Sequence, residues 1–150
     1  MNPSRSLPCK IAVSLAPFVL ACAAGGPRHL NPPDRADSRP FSHGVLAGDT
    51  YWVAGTLGLE PDGSVPADVE REIRLAMDGI AAKLALAGLT MDDLVSVQVF
   101  CPDLELYDTF NRIYAGYFTD GRYPVRAFIG SGPLLRGARF EITAVASCAR

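Results

Sequence analysis

The chain has 150 residues, of which 49% are hydrophobic and 20% are charged, and its formal net charge at pH 7 is -2. This length suits one domain with its own core, and so apolar a composition excludes an intrinsically disordered chain. No basic excess exists to neutralise phosphates, which removes the electrostatic case for nucleic-acid binding. The four cysteines form no C-x-x-C pair and the chain has two histidines. Neither a structural zinc site nor a histidine-based metal cluster is therefore expected.

The first 22 residues have the layout of an export signal. Two basic residues and no acidic residue accompany an apolar run at 11–20, which ends in Ala21-Cys22. The run is about half as long as a membrane-spanning helix requires, and residues 19–22 (VLAC) resemble a bacterial lipobox. We expect a signal peptide over residues 1–22 and lipidation of Cys22, with the protein anchored to a membrane and facing the periplasm or cell exterior. A plain secretory signal and a cytoplasmic protein with a spurious N-terminal extension are the alternatives.

Residues 23–39 have the composition of a tether. They contain two glycines, three prolines and charges of both signs, with no apolar periodicity. Such a segment has no face to bury, so we predict a flexible linker there and a folded domain over residues 40–150. Beyond residue 22 the chain has 12 basic and 16 acidic residues, a net charge of -4.

The rest of the sequence alternates between strand and helix patterns. Aromatic and β-branched residues predict a strand at 50–55. Apolar residues at helical spacing predict a helix at 68–87, stopped by Gly88. Residues 94–101 alternate as in a strand. The predicted faces of this strand are Val95, Val97, Val99 and Cys101 on one side and Ser96, Gln98 and Phe100 on the other.

A second helix is predicted at residues 105–118, where Asp108 and Arg112 can pair at i, i+4. Two more strands are predicted at 125–130 and 138–147. This order indicates an α+β sandwich with two helices on one face of a sheet. Large apolar side chains on the opposite face would favour a homo-oligomer. The candidates for that face are Trp52 or Tyr51, Phe100, Phe128 and Phe140.

Two cysteines remain in the predicted folded part. Cys101 and Cys148 both stand at predicted strand ends, and an oxidising compartment would allow a disulfide if their Cα atoms came close. The sequence does not set that separation. We expect two unpaired, half-buried thiols.

Arg126 and Glu141 are the candidate catalytic residues, since each is a charged residue inside an otherwise apolar strand. The planar fork of arginine suits the binding of a carboxylate. A glutamate in an apolar wall can hold and deprotonate a water molecule. Together they are the minimum for hydrolysing a small carboxylated substrate. A structural Arg126–Glu141 ion pair and two exposed strand positions are the alternatives.

Six further segments are similar to motifs of a known family. In chain order they are RPFSHGV at 39–45, VAGTLG at 53–58, AGLTMDDLV at 87–95, FNRIYAGYF at 110–118, YPVRA at 123–127 and FEITAVA at 140–146. In this order and spacing they resemble the RidA (YjgF) family of reactive-intermediate deaminases. The resemblance covers residues 39–147, which is the whole predicted folded part.

The resemblance implies a chorismate-mutase-like α+β fold with a mixed, mostly antiparallel sheet, assembled as a homotrimer with three clefts between subunits. It also implies hydrolysis of enamines and imines, such as 2-aminoacrylate, to 2-keto acids and ammonia without a metal or organic cofactor. Arg126 would bind the substrate carboxylate, Glu141 would position water, and Asn111 would line the site. These roles agree with those argued above from side-chain chemistry.

The chain departs from the family pattern at three candidate substrate-binding positions. Phe41 replaces a tyrosine and so removes a hydroxyl from the cleft. His43 replaces a glutamine and can either shuttle a proton near neutral pH or simply line the cleft. Phe128 stands where cysteine is common, which would narrow the pocket or make it more apolar.

The leading hypothesis is a cofactor-independent deaminase of small 2-imino acids. The alternative is a non-enzymatic, trimeric small-carboxylate-binding protein tethered to a membrane. A hydrolase for another carbonyl- or amine-containing metabolite, with a pocket shaped by Phe128 and His43, is a third possibility.

Overall fold

The structure is a computed structural model that describes residues 26–33, 35 and 39–149. The predicted signal peptide, the lipidation of Cys22 and the membrane anchor lie outside the described residues and stay predictions. Within the described ranges, no helix is long and apolar enough to cross a membrane.

A six-stranded mixed sheet forms the body of the protein. Its strands are β1 (Arg28–Leu30), β2 (Gly44–Ala47), β3 (Thr50–Leu57), β4 (Leu94–Cys101), β5 (Val125–Gly130) and β6 (Glu141–Ser147), in the spatial order β1-β2-β3-β6-β4-β5. Only the β4–β5 pair is parallel, and the other four pairings are antiparallel. The helices α1 (Val69–Ala85) and α2 (Tyr107–Ala115) complete the fold. The predicted α+β class and helical layer are confirmed.

The N-terminal edge of the sheet lies inside the segment predicted as a tether. Arg28–Leu30 pair antiparallel with β2, and the side-chain oxygen of Asn31 accepts a hydrogen bond from the backbone N–H of His43 at 2.9 Å. The prediction of a tether over residues 23–39 is therefore wrong for β1. The physical reason is that a three-residue edge strand is held by backbone hydrogen bonds, which need no apolar periodicity.

Helix α1 follows its sequence pattern closely. The carboxylate of Asp68 caps its first turn by accepting from the backbone N–H of Glu70 at 3.0 Å. Gly88 adopts a φ of +71° just beyond its end, a conformation that glycine adopts without strain. The predicted apolar stripe faces the sheet, and its buried members are Ile73, Met77, Ile80 and Leu84.

Helix α2 is shorter than the predicted 105–118. A 3₁₀ turn, Leu104–Leu106, precedes it, and the Asp103 carboxylate caps this turn. The predicted Asp108–Arg112 pair does not form, because Arg112 reaches Glu70 of α1 at 2.6 Å instead. Asn111 and Tyr114 of α2 face the neighbouring strand β5, and this placement builds half of the candidate site.

The two faces of the sheet differ from the sequence prediction at several positions. A register shift between Leu94 and Ser96 puts Leu94 in the core and leaves Val95 46% exposed. Phe100 and the 56%-exposed Trp52 do lie on the open face, away from the helices. Three aromatic candidates belong instead to the helix-covered side: Tyr51, Phe128 and Phe140. Their faces depend on strand pairing, which single-strand alternation does not reveal.

Cys101 and Cys148 are both free, Cys101 buried and Cys148 half-buried. β4 and β6 run antiparallel with Leu94 opposite Ala146 and Phe100 opposite Glu141. The two thiols therefore lie toward opposite ends of this strand pair, which explains why they do not form a disulfide.

The start of β6 is fixed by a buried carboxylate on α1. Glu72 has no exposed surface, and it accepts hydrogen bonds from the Arg139 backbone N–H at 2.7 Å, the Arg139 side-chain Nε at 2.5 Å and the Phe140 N–H at 3.2 Å. Three donors satisfy a charge that would otherwise be costly to bury. This anchor sets where β6 begins and hence where Glu141 lies.

Candidate functional site

Arg126 lies on the edge strand β5 with its side chain toward α2. Its Cα pairs with that of Val97, a core residue of β4, so the two side chains share the helix-covered face. The guanidinium carbon is 4.5 Å from the ring centroid of Tyr114, 5.7 Å from that of Phe110 and 5.8 Å from that of Tyr107. The faces of aromatic rings attract a cation, so this bed of three rings holds the charge without neutralising it.

Asn111 fixes the orientation of Arg126. Its Oδ1 accepts a hydrogen bond from Nη2 of Arg126 at 2.5 Å. Among the described residues, no carboxylate lies within 4.0 Å of the guanidinium. Arg126 is therefore held by neutral groups and keeps donors for the carboxylate of a ligand.

A pocket of about 370 Å³ opens beside this guanidinium. It is lined by Asn111, Tyr114, Ala115, Tyr123, Pro124 and Arg126. The Tyr114 hydroxyl is buried with no hydrogen-bond partner among the described residues, and burial raises the pKa of this group to about 12. Tyr114 therefore stays protonated near neutral pH, a buried donor beside the anion clamp.

Phe128 packs against two of the aromatic rings that surround the Arg126 guanidinium. Its Cα pairs with that of Val99, so it shares the face of Arg126 two residues along β5. Its ring meets Tyr107 edge-on at 5.1 Å and Phe110 at 5.4 Å, between centroids. These contacts pack the aromatic bed under Arg126, and Phe128 does not line the 370 Å³ pocket.

Glu141 projects from the other face of the sheet. Its Cα pairs with that of Phe100 on β4 and with that of Leu57 on β3. Its carboxylate lies directly against Gly55, where a methyl group would overlap Oε1. No described residue hydrogen-bonds this carboxylate or pairs with it. The Arg126–Glu141 ion pair considered from the sequence is therefore excluded within one chain.

Phe41 and His43 belong to the Glu141 side of the molecule. The backbone carbonyl of His43 accepts from the N–H of Ala54, the neighbour of Gly55 in β3, at 3.0 Å. The rings of Phe41 and His43 stack at 6.4 Å between centroids, and Phe41 is 47% exposed. These two residues therefore connect through β3 to the strand segment that supports Glu141.

The same open face carries a shallow groove of about 510 Å³. Its lining is Trp52, Val53, Ser96, Gln98, Thr143, Ala144 and Val145. Mixed apolar and amide or hydroxyl groups of this kind suit contact with another protein surface.

One chain thus holds two separate parts of the predicted site. We call Arg126, Asn111 and Phe128 with their aromatic neighbours the clamp half. We call Glu141, Phe41 and His43 the carboxylate half. The sheet separates the two halves, so one chain does not bring its own Arg126 and Glu141 together.

Sequence reasoning missed two polar groups beside these halves. The pattern of α2 indicates only a core position for Tyr114, although its spacing of three from Asn111 puts both on one face of the helix. Lys83 has the helical phase of an outward-facing residue, yet its Nζ donates to Thr56 Oγ1 at 2.7 Å. The one signal in the sequence is that Lys83 is the only lysine beyond residue 22.

A family model described as Endoribonuclease L-PSP matches residues 33–148. The chain belongs to this family, which is the RidA (YjgF) family. The match covers both halves of the site and all but the first strand of the sheet.

Named relatives agree with this assignment. The 2-iminobutanoate/2-iminopropanoate deaminase of Escherichia coli (strain K12) is 33% identical over 110 residues, covering 71% of this chain and 86% of the relative. The mouse protein of the same name is 34% identical over 109 residues, covering 71% of this chain and 80% of the relative. A crystal structure of E. coli TdcF with bound serine superposes with a TM-score of 0.72 at 27% identity, covering 80% of this chain and 98% of that one.

Proposed function

We propose that this RidA-family protein is a deaminase that hydrolyses small 2-imino acids and their enamine tautomers to 2-keto acids and ammonia. The observation that carries the proposal is Arg126, a guanidinium held by Asn111 and aromatic rings, with no carboxylate partner among the described residues. Such a group is prepared to bind the carboxylate of a substrate. Relatives at 33% and 34% identity carry the name of this activity.

The reaction needs a carboxylate base as well as a clamp, and the base lies on the other face of the same chain. We propose that a neighbouring subunit supplies it, so that Arg126 of one copy and Glu141 of the next face a shared cleft in a homotrimer. The exposed Trp52 and the groove beside it on the Glu141 face support such an assembly, because a second copy would bury them.

In the proposed cleft Arg126 binds the substrate carboxylate in a bidentate manner and so places C2 of the iminium group. Glu141 holds a water molecule and takes its proton as the oxygen bonds to C2. Glu141 returns this proton to the amine nitrogen of the resulting carbinolamine. Ammonia then leaves as the C–N bond breaks, and the hydroxyl proton passes to Glu141 as the C=O bond forms. An enamine substrate first gains a proton at carbon to become the iminium.

The test is hydrolysis of 2-imino acids generated in place by an amino-acid oxidase, with and without the purified protein. The proposal expects faster loss of imine and equal release of 2-keto acid and ammonia. Absence of any acceleration, by a protein shown to be folded and oligomeric, would refute the enzymatic function.

The binding-only alternative is separated from the enzyme on the same preparation. A relative in this family has a crystal structure with bound serine, a small amino acid with a carboxylate. Calorimetry with a 2-keto acid that shows binding without any imine hydrolysis would favour a carboxylate-binding protein. Binding together with hydrolysis supports the deaminase.

A further inference from the structure

Lys83 is a partly buried cation that the proposed reaction does not use. It stands in the last turn of α1 and is the only lysine beyond residue 22. Its side chain turns back toward the sheet, where it donates to β3. A lysine ammonium is rarely buried without hydrogen-bond or charge partners, so the groups that Lys83 contacts are the first thing to establish.

All three protons of the ammonium have acceptors on β3. Nζ donates to Thr56 Oγ1 at 2.7 Å, to the Gly55 carbonyl at 3.0 Å and to the Ala54 carbonyl at 3.1 Å. The register between β3 and β6 shifts here, since the paired residues go from Val53 to Thr56 on β3 but only from Ala144 to Ile142 on β6. Two residues of β3 thus face one of β6, which is a β-bulge. The Lys83 ammonium caps this bulge.

A glycine in α1 allows the helix to lie close enough to β3 for Lys83 to reach the bulge. Gly79 lies one turn before Lys83, and a Cβ there would stand 2.7 Å from Cγ2 of Thr56. The absence of a side chain therefore permits close approach of α1 to β3. Residues spaced by four share a helix face, so Gly79 opens the space into which Lys83 extends.

The capped bulge contains the residue that supports Glu141. Gly55 provides the surface against which the Glu141 carboxylate lies, with no room for a methyl group. Any movement of the Gly55 backbone therefore displaces the surface that the Glu141 carboxylate contacts. The described contacts form a continuous path from Lys83 through Gly55 to Glu141.

We propose that Lys83 is a positioning residue, whose ammonium holds the β3 bulge so that Gly55 seats the Glu141 carboxylate for reaction. The kinetic part of this inference rests on the proposed function. The structural part concerns the bulge alone and is tested without turnover.

The charge of Lys83 is sensitive to mildly alkaline pH. Burial, and next the positive charge of Arg39, lower the pKa of the ammonium to about 8, and the opposing effect of Glu141 is smaller. Arg39 from the segment before β2 and Glu141 from β6 are the charged groups that act on it, while the Tyr51 hydroxyl of β3 bonds the Lys83 carbonyl at 2.9 Å. A neutral amine has one donor fewer, so the cap weakens as pH rises through 8.

The structural test uses nuclear magnetic resonance of the full protein with isotope-labelled lysine and glycine. The variant Lys10→Arg leaves a single lysine side-chain signal, that of Lys83. We expect its midpoint near pH 8, and a shift of the Gly55 backbone amide with the same midpoint. Lys83→Met should abolish the shift of Gly55, whereas Arg74→Met, on the exposed side of the same helix, should leave it intact. If the Gly55 amide signal shifts with the same midpoint pH in the Lys83→Met protein as in the protein that retains Lys83, the proposal is overturned.

The kinetic test compares the pH dependence of kcat in these proteins. Wild type should lose kcat as pH rises through the measured pKa of Lys83. Lys83→Met should have kcat lowered about tenfold at pH 7 with little change in KM and no alkaline loss near pH 8, because misplacing a base slows the chemical step. Lys83→Arg, which keeps the charge, should restore much of kcat. If Lys83→Met does not fold, Thr56→Val, which removes the hydroxyl acceptor, should lower the Lys83 pKa further and lower kcat.

The outcomes separate the two proposals. A wild type without imine hydrolysis refutes the proposed function, while the Gly55 titration still decides whether Lys83 holds the bulge. An active enzyme whose kcat and pH profile are unchanged in Lys83→Met overturns the positioning role and leaves the deaminase in place.

Discussion

Arg126 and Glu141 project from opposite faces of one β-sheet, with β4 between their strands. On β4, Val97 is paired with Arg126 and Phe100 is paired with Glu141. Val97 and Phe100 point to opposite faces of the sheet, and each shares its face with its paired residue. Neither Arg126 nor Glu141 forms an ion pair within 4.0 Å among the described residues. Two unneutralised, opposite charges in one chain are explained together if each completes a cleft in a neighbouring copy.

Replacing the clamp should remove carboxylate recognition. Arg126→Ala is expected to lower kcat/KM on the order of 100-fold or more, because a charge-assisted bidentate contact is lost. Arg126→Lys keeps the charge without the planar fork and should recover only part of the activity. Steady-state kinetics on oxidase-generated imines measures both, with Arg112→Ala on the exposed side of α2 as the matched control. Equal activity of Arg126→Ala and wild type would exclude the clamp.

The neutrality of Asn111 is as important as its hydrogen bond. Asn111→Ala frees the guanidinium and should raise KM about tenfold, near the lower end of the effect of one hydrogen bond to a charged group. Asn111→Asp places a carboxylate 2.5 Å from Nη2 and should neutralise the clamp. We therefore expect Asn111→Asp to bind substrate more weakly than Asn111→Ala. The reverse order of KM would show that Arg126 does not act as an anion receptor.

The Glu72 anchor should contribute strongly to stability. Glu72→Ala leaves the Arg139 side chain and two backbone N–H groups without their acceptor, so we expect a loss of about 3–5 kcal/mol in the free energy of unfolding. Glu72→Gln keeps part of the network and should lose less. Glu70→Ala, two residues away, removes two exposed ion pairs and should lose much less than Glu72→Ala, because solvent screens exposed pairs. Urea unfolding distinguishes them, and equal effects of Glu70→Ala and Glu72→Ala would contradict the anchor.

Lys83 should also give stability a pH dependence of definite sign. Its pKa falls from 10.5 to about 8 in the folded protein, chiefly through burial. Between these pH values the unfolded chain binds a proton that the folded chain does not, so raising the pH favours the folded state. This difference in pKa between the unfolded and the folded chain corresponds to a gain of about 3 kcal/mol at most in the free energy of unfolding. The unfolding free energy of wild type minus that of Lys83→Met should therefore rise from pH 8 to pH 10.5, and a constant difference would contradict the assigned pKa.

The local sequence pattern was sufficient to predict the longer strands and helix α1. The predicted strands at 94–101 and 125–130 match β4 and β5 to the residue, and α1 ends within two residues of its predicted end. β1 and β2 were missed because strands of three and four residues are too short to show alternation. Their positions depend on the pairing of β1 with β2 and of β2 with β3, which the local sequence does not encode.

The candidate site shows the same limit. The residue types of Arg126 and Glu141 indicate an anion clamp and a base from side-chain chemistry alone, and the family resemblance adds Asn111. The separation of clamp and base by the sheet follows from the strand order and register, which bring β6 between β3 and β4. The helical phase of Lys83 indicates an outward-facing residue, because phase alone does not reveal the missing side chain of Gly79 or the bulge in β3 that Lys83 contacts.

The central claim is that each active cleft takes Arg126 from one subunit and Glu141 from another. The direct measurement is the activity of mixed trimers, made by co-expressing Arg126→Ala and Glu141→Gln chains with different affinity tags and purifying through both tags. Each variant alone should be inactive. Every mixed trimer has one cleft with both groups intact, so about one third of wild-type activity should return. Mixed trimers that carry both tags but remain as inactive as either variant, beside an active wild type, would place the whole site within one chain and contradict the account.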